Sequence, residues 1–182
     1  MIPADAGAVL VPLARFAIEE RLGLTRGRAA PAASWLAERG ATFVTLTQRG
    51  ELRGCIGSLE AWRGVGEDVA SNARAAAFRD PRFRPVRADE AAGLRVEVSL
   101  LSSPTPIAFV DEADAVAQLR PGVDGVVLSA AGSRGTFLPQ VWEQLPEPAA
   151  FWAHLKRKAG LPATYWGPDV RLERYTVRKW SE

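Results

Sequence analysis

Apolar positions along the chain recur with two periods, and the points where the period changes mark out its elements. Over residues 13–22, Leu13-Ala14-Arg15-Phe16-Ala17-Ile18-Glu19-Glu20-Arg21-Leu22 repeats its apolar side chains at helical spacing, with Pro12 at its start and Gly23 as its stop. Residues 42–47 alternate and are β-branched, which predicts a strand. Gln48-Arg49-Gly50-Glu51 then turns the chain, and 52–59 returns as the hairpin partner. The stretch 65–78 is alanine-rich, acidic at its start and ends before Pro81, which predicts a helix. Over 95–101, Val96, Val98 and Leu100 alternate with Arg95, Glu97 and Ser99, and Pro104 and Pro106 close that strand. Residues 111–119 read as a short helix capped by Asp111. Residues 123–130 and 136–138 form a second hairpin around Gly132-Ser133-Arg134-Gly135. A helix over 148–159 stops at Gly160, and 171–180 is a final strand. Hairpins dominate and no βαβ rhythm is present, so the expected class is α+β, with a largely antiparallel sheet flanked by helices.

Bulk properties narrow the setting. A chain of 182 residues suits one domain or two small lobes packed together. Its 47% hydrophobic and 24% charged residues are those of a globular chain. No apolar run approaches the roughly 18–20 residues that span a bilayer. The opening 1–23 has no basic start, carries Asp5 and ends in Glu19, Glu20 and Arg21, unlike a secretory leader. The lone cysteine, Cys55, cannot form an internal disulfide and suits a reducing compartment, so the cytoplasm is expected. Net charge is +2, and the positive charge is nearly all arginine, with lysine at 156, 158 and 179 only. Arginine grips oxyanions well. The abundance of alanine, glycine and proline beside it makes a GC-rich coding sequence the simpler source of that excess.

Most catalytic signatures are missing. The chain has no phosphate loop and no nucleophile elbow, and Gly64-Val65-Gly66 lacks the third glycine of a dinucleotide fingerprint. One histidine and one cysteine cannot build a Cys/His zinc site, and the carboxylates show no metal-ligand spacing. His154 falls on a helix among Phe151, Trp152 and Leu155, where packing or solvent exposure explains it. The exception is Leu52-Arg53-Gly54-Cys55-Ile56-Gly57. Two glycines inside a strand imply a bend, a bulge or a close approach. Strict alternation would place Arg53 and Cys55 on one face, where a cation favours the thiolate form of a nucleophile. A small buried thiol is the plain alternative. Asn72 is a weak helix former in mid-helix and invites a specific hydrogen bond. Ala73, Ala76 and Ala77 offer a closely packing face, while Asp80-Pro81 stops the helix, with Asp80 pairing Arg79 or Arg82. Glu97 and Gln140 are polar positions among apolar neighbours, dull if solvated and ligand-binding if they share a cleft.

Residues 52–57, 75–83, 96–101, 138–141 and Lys158-Ala159-Gly160-Leu161, in that order, resemble the AMMECR family, whose prokaryotic members are called protein A of the AmmeMemoRadiSam system. The resemblance runs from about residue 8 to residue 178, with Arg-Gly-Cys-Ile-Gly its most specific string. It implies an α+β fold in two unequal lobes, both chain ends in the larger, with a cleft between them. By motif it places Arg53, Gly54, Cys55 and Gly57 in that cleft, with Asn72, Glu97 and Gln140 as further candidates. It also implies association with a Memo-type dioxygenase-like protein and a radical SAM protein. It names neither an activity nor a cofactor. Three functional expectations follow. In an enzyme, Cys55 is the nucleophile or redox thiol, Arg53 binds an anionic group, and Glu97 or Asn72 assists. In a non-catalytic module, the glycines admit a small anion, a nucleotide or a partner protein. In an RNA-binding protein, Arg79, Arg82, Arg84 and Arg87 act with Phe78 and Phe83. The RNA reading is the weakest, because the cysteine string lacks base-stacking aromatics.

Overall fold

In the computed structural model, which describes residues 1–182, the first apolar stretch becomes helix α1 (Gly7–Arg21), with Pro12 inside it. The helix therefore starts a turn and a half before the proline, and forgoes one backbone hydrogen bond there. Leu10, Ala14, Ala17 and Ile18 are buried along it. A methyl group at Gly7 would stand 2.2 Å from Trp180 Cγ, so this glycine admits the tryptophan ring. Next come β1 (Ala41–Gln48), β2 (Glu51–Gly57), α2 (Val65–Phe78) and β3 (Leu94–Leu101). They are followed by β4 (Thr105–Pro106), α3 (Glu112–Ala117), β5 (Gly125–Ala130), β6 (Ser133–Phe137), α4 (Pro148–Lys158), β7 (Arg171–Tyr175) and β8 (Val177–Ser181). Short 3-10 segments lie at Ser34–Ala37, Ala88–Gly93 and Pro139–Glu143.

The chain divides into two compact units, one of residues 1–101 with 178–182, the other of residues 102–177. The first unit thus holds both chain ends. Its sheet has the order β2-β1-β3-β8, with β1 antiparallel to both β2 and β3. Val44 and Leu46 of β1, Val96 and Val98 of β3 and Ile56 of β2 join α1 and α2 in one apolar core. The alternate positions, among them Thr45, Cys55 and Glu97, point from the other face, as a period of two requires. The β1–β2 turn puts Arg49 at φ 54° and Gly50 at φ 86°, the left-handed pair that a two-residue hairpin demands.

The second unit has its own antiparallel sheet, β4-β7-β5-β6, over a core of Val126, Leu128, Leu172, Phe151 and Leu155. Trp142 stacks on Phe151 with ring centroids 3.7 Å apart. Asp111 caps α3 by accepting the Asp114 N–H at 2.8 Å, as the sequence implies. Two expectations need correcting. The second hairpin turns at Ala131-Gly132 (φ 50° and 73°), whereas Gly135 is a strand residue. That glycine is there for packing, since a methyl group on it would lie 2.9 Å from Ala159 Cβ. The last strand is two: β7 and β8 join different sheets and meet at Thr176, whose N–H donates to Ser102 Oγ. No helix is long and apolar enough to cross a membrane.

Candidate functional site

The Arg-Gly-Cys-Ile-Gly string lies on β2, the edge strand of the first sheet. Gly54 is opposite Leu46 and faces α2, so close to it that a methyl group would stand 2.2 Å from the carbonyl oxygen of Ala76. The alanine face permits this approach: Ala73, Ala76 and Ala77 are all buried. Gly57 is opposite Phe43, whose ring occupies the place of a side chain there, again within 2.2 Å. Both glycines therefore serve packing, and the space that was expected to admit a ligand is filled by protein.

Arg53 occupies an irregularity in the ladder. Leu46 pairs with Gly54 and Thr47 with Leu52, which leaves Arg53 as the extra residue of a bulge. Its side chain is buried and its guanidinium is engaged. Nη1 donates to the Arg84 carbonyl at 2.9 Å, while Nε and Nη2 donate to the Glu90 carboxylate at 3.3 Å. The Glu90 carboxyl is held below its usual range by the Arg87 N–H first and by Arg53 second. Arg53 thus anchors the segment after α2; it does not offer a free charge to an anion.

Cys55 is clamped through its backbone. Its N–H donates to Asp80 Oδ2 at 2.9 Å, and its carbonyl accepts from Arg82 Nη2 at 3.2 Å. Arg82 also donates to Asp80 through Nε at 3.0 Å, through Nη2 at 2.7 Å and through its backbone N–H at 3.1 Å. The Asp80-Pro81-Arg82 turn thereby covers the hydrogen-bonding edge of β2 at this residue. Arg82 and the Cys55 N–H hold the Asp80 carboxyl far below the ordinary carboxylate range. The Cys55 side chain is left on the sheet face away from α1 and α2, partly exposed, with Sγ 3.4 Å from Thr45 Oγ1. Thr45 is in turn directly opposite Glu97 on β3, so Cys55, Thr45 and Glu97 form one row across three strands. Thr45 could have been found from the sequence only through the hairpin register that aligns it with Cys55.

Asn72 belongs to another structure. Asp68, fully buried in the first turn of α2, accepts five hydrogen bonds: from the Thr42 N–H and hydroxyl, Ser58, Arg63 and Asn72. Asn72 also donates to the Thr42 carbonyl at 2.9 Å. This network fastens α2 to the start of β1 and occupies the amide that was a ligand candidate. Gln140 is exposed on the 3-10 segment of the second unit, and His154 is exposed on α4. In the basic run, Arg82 pairs with Asp80 and Arg87 with Asp89, which neutralises two of its four charges. No group of three or more His, Cys, Asp or Glu side chains is placed to hold a metal ion.

Comparison with known proteins gives a consistent result. The AMMECR1 family model matches residues 11–180. A protein of Methanothermobacter thermautotrophicus is 36% identical, the alignment covering 98% of this chain and 95% of that one. A protein of Aeropyrum pernix is also 36% identical, over 97% of this chain and 78% of that one. The crystal structure of the uncharacterized protein PH0010 from Pyrococcus horikoshii superposes with a TM-score of 0.78 at 34% identity, covering 97% of this chain and 91% of that one.

Proposed function

Because the chain belongs to the AMMECR1 family, for which no activity is established, we propose from its geometry that the first unit is a recognition module whose ligand meets the sheet face that carries Cys55. Thr45 and Glu97 supply the neighbouring polar contacts. One observation carries this reading: of the motif residues, Arg53, Gly54 and Gly57 are committed to packing or ion pairing, while the Cys55 side chain stays partly exposed on the face away from the helices. A strand fixed at both its N–H and its C=O holds that side chain in one place, and such preorganisation favours recognition. The hydrogen-bonding neighbour of the thiol, Thr45, is neutral. With Arg53 engaged by Glu90, the row of a thiol, a hydroxyl and a carboxylate suits a ligand rich in hydrogen-bond donors better than an anion.

Disulfide capture tests the proposal, since Cys55 is the sole thiol. A panel of small disulfides, amine-bearing and carboxylate-bearing, is equilibrated with the full chain in excess mercaptoethanol, and adducts are weighed by mass spectrometry. Selective capture of a few donor-bearing members is expected, with the ranking altered by Glu97→Gln and Thr45→Val. Capture that follows reagent concentration alone, unchanged in both variants, would overturn the proposal.

A further inference from the structure

The second unit carries a groove of about 980 Å³ between α3, α4 and the segment 163–166. Its walls include Val116 and Trp152, and Trp166 stands edge-on to Trp152 with centroids 6.5 Å apart. Among these apolar surfaces lies a lysine, Lys156, whose side chain is only 4% exposed. Its ammonium donates to Glu112 Oε1 at 2.6 Å and to the Tyr165 carbonyl at 3.1 Å. Trp152 Nε1–H donates to the same oxygen, Oε1, at 2.7 Å. Both protein donors thus converge on one oxygen of Glu112, and Oε2 accepts none. The Glu112 side chain is nevertheless 38% exposed and lines the groove. Burial pushes the Glu112 carboxyl up, but the hydrogen bonds from Lys156 and Trp152 outweigh it and hold the group below its usual range.

The charge balance decides what such a groove accepts. Its charged lining consists of Asp111, Glu112 and Lys156, two carboxylates against one ammonium. The ammonium is buried and already hydrogen-bonded, so an incoming anion finds no open donor there. The carboxylate is fixed from behind and open in front, beside indole surfaces that attract cations. We propose that this groove binds a small organic ammonium ion, its charged head at Glu112 Oε2 and its apolar body against Trp152 and Trp166. The volume is at the upper end of what small-molecule sites enclose. The assignment is independent of the Cys55 face, which lies in the other unit.

Nuclear magnetic resonance of the full chain, nitrogen-labelled at tryptophan, reads the site directly through the Trp152 indole N–H. The signal is identified by its loss in Trp152→Phe. Benzylammonium at neutral pH should shift this resonance saturably, and phenylacetate at equal concentration should leave it in place. Glu112→Gln should weaken the benzylammonium effect by about tenfold or more, as loss of a charge-assisted hydrogen bond does. Absence of a saturable shift, an equal response to phenylacetate, or undiminished binding by Glu112→Gln would overturn the proposal. If that variant fails to fold, the comparison of the two oppositely charged probes on the unaltered protein still decides it.

Discussion

Gly54 is the position at which one added methyl group is least tolerable. Its neighbour is a backbone oxygen of α2, which cannot rotate away as a side-chain tip could. Gly54→Ala should therefore destabilise the protein by about 1–3 kcal/mol or more, the usual cost of overpacking, measurable as a lowered midpoint in urea. Asp80 is the second informative residue. Its carboxyl is depressed in the folded protein by Arg82 and by the Cys55 N–H. A depressed acid contributes stability above its unfolded value of about 3.9 and loses it as the pH falls through the folded one. Asp80→Asn should accordingly lower stability near neutrality and flatten the acid limb of a stability–pH curve below about pH 4. An unchanged acid limb would show that the clamp on Cys55 does not depend on charge.

At the scale of elements, hairpin turns show how local chemistry fixes register. Arg49-Gly50 and Ala131-Gly132 both take the left-handed conformation at two successive residues. Alanine is poorly suited to it, whereas asparagine visits it readily. Ala131→Asn should raise stability by about 0.5–1 kcal/mol, read from thermal unfolding, while leaving the Ala131 N–H bond to Asp169 in place. The bounds of α2, the three long strand segments and the Asp111 cap were all legible in the sequence, because each rests on periodicity or on a side chain within a few residues. The second turn was misplaced because Gly135 resembles a turn glycine when its neighbour Ala159 is unknown. The division of the last strand at Thr176 was illegible for a related reason: alternation reports that a segment is extended but not which sheet it joins.

Over the whole molecule, the α+β class was readable from the hairpin-dominated periodicity, and the family from motifs spread along most of the chain. The candidate site was readable only in its centre. Arg53 and Cys55 looked like a cation beside a thiol, and a one-residue bulge instead gives Arg53 to Glu90 and Arg84. Asn72 was correctly singled out as needing a specific hydrogen bond, yet its partners Thr42 and Ser58 are long-range in sequence. Asp68 drew notice only as part of an acidic helix start, although it anchors five donors. These corrections share a cause. Polar residues in the motif region act through partners brought together by tertiary packing, which spacing does not encode.

The Asp80-Pro81-Arg82 turn holds the Cys55 backbone and leaves its side chain partly exposed on the sheet face away from α1 and α2. Timed alkylation of the intact chain with iodoacetamide, followed by mass spectrometry with and without denaturant, tests it most directly. Steady labelling of the folded protein is expected, slower than that of the unfolded chain by no more than about a hundredfold, because partial exposure slows access without closing it. A native chain that stays unlabelled until denaturant is added would make Cys55 a core residue and rule out its role in recognition.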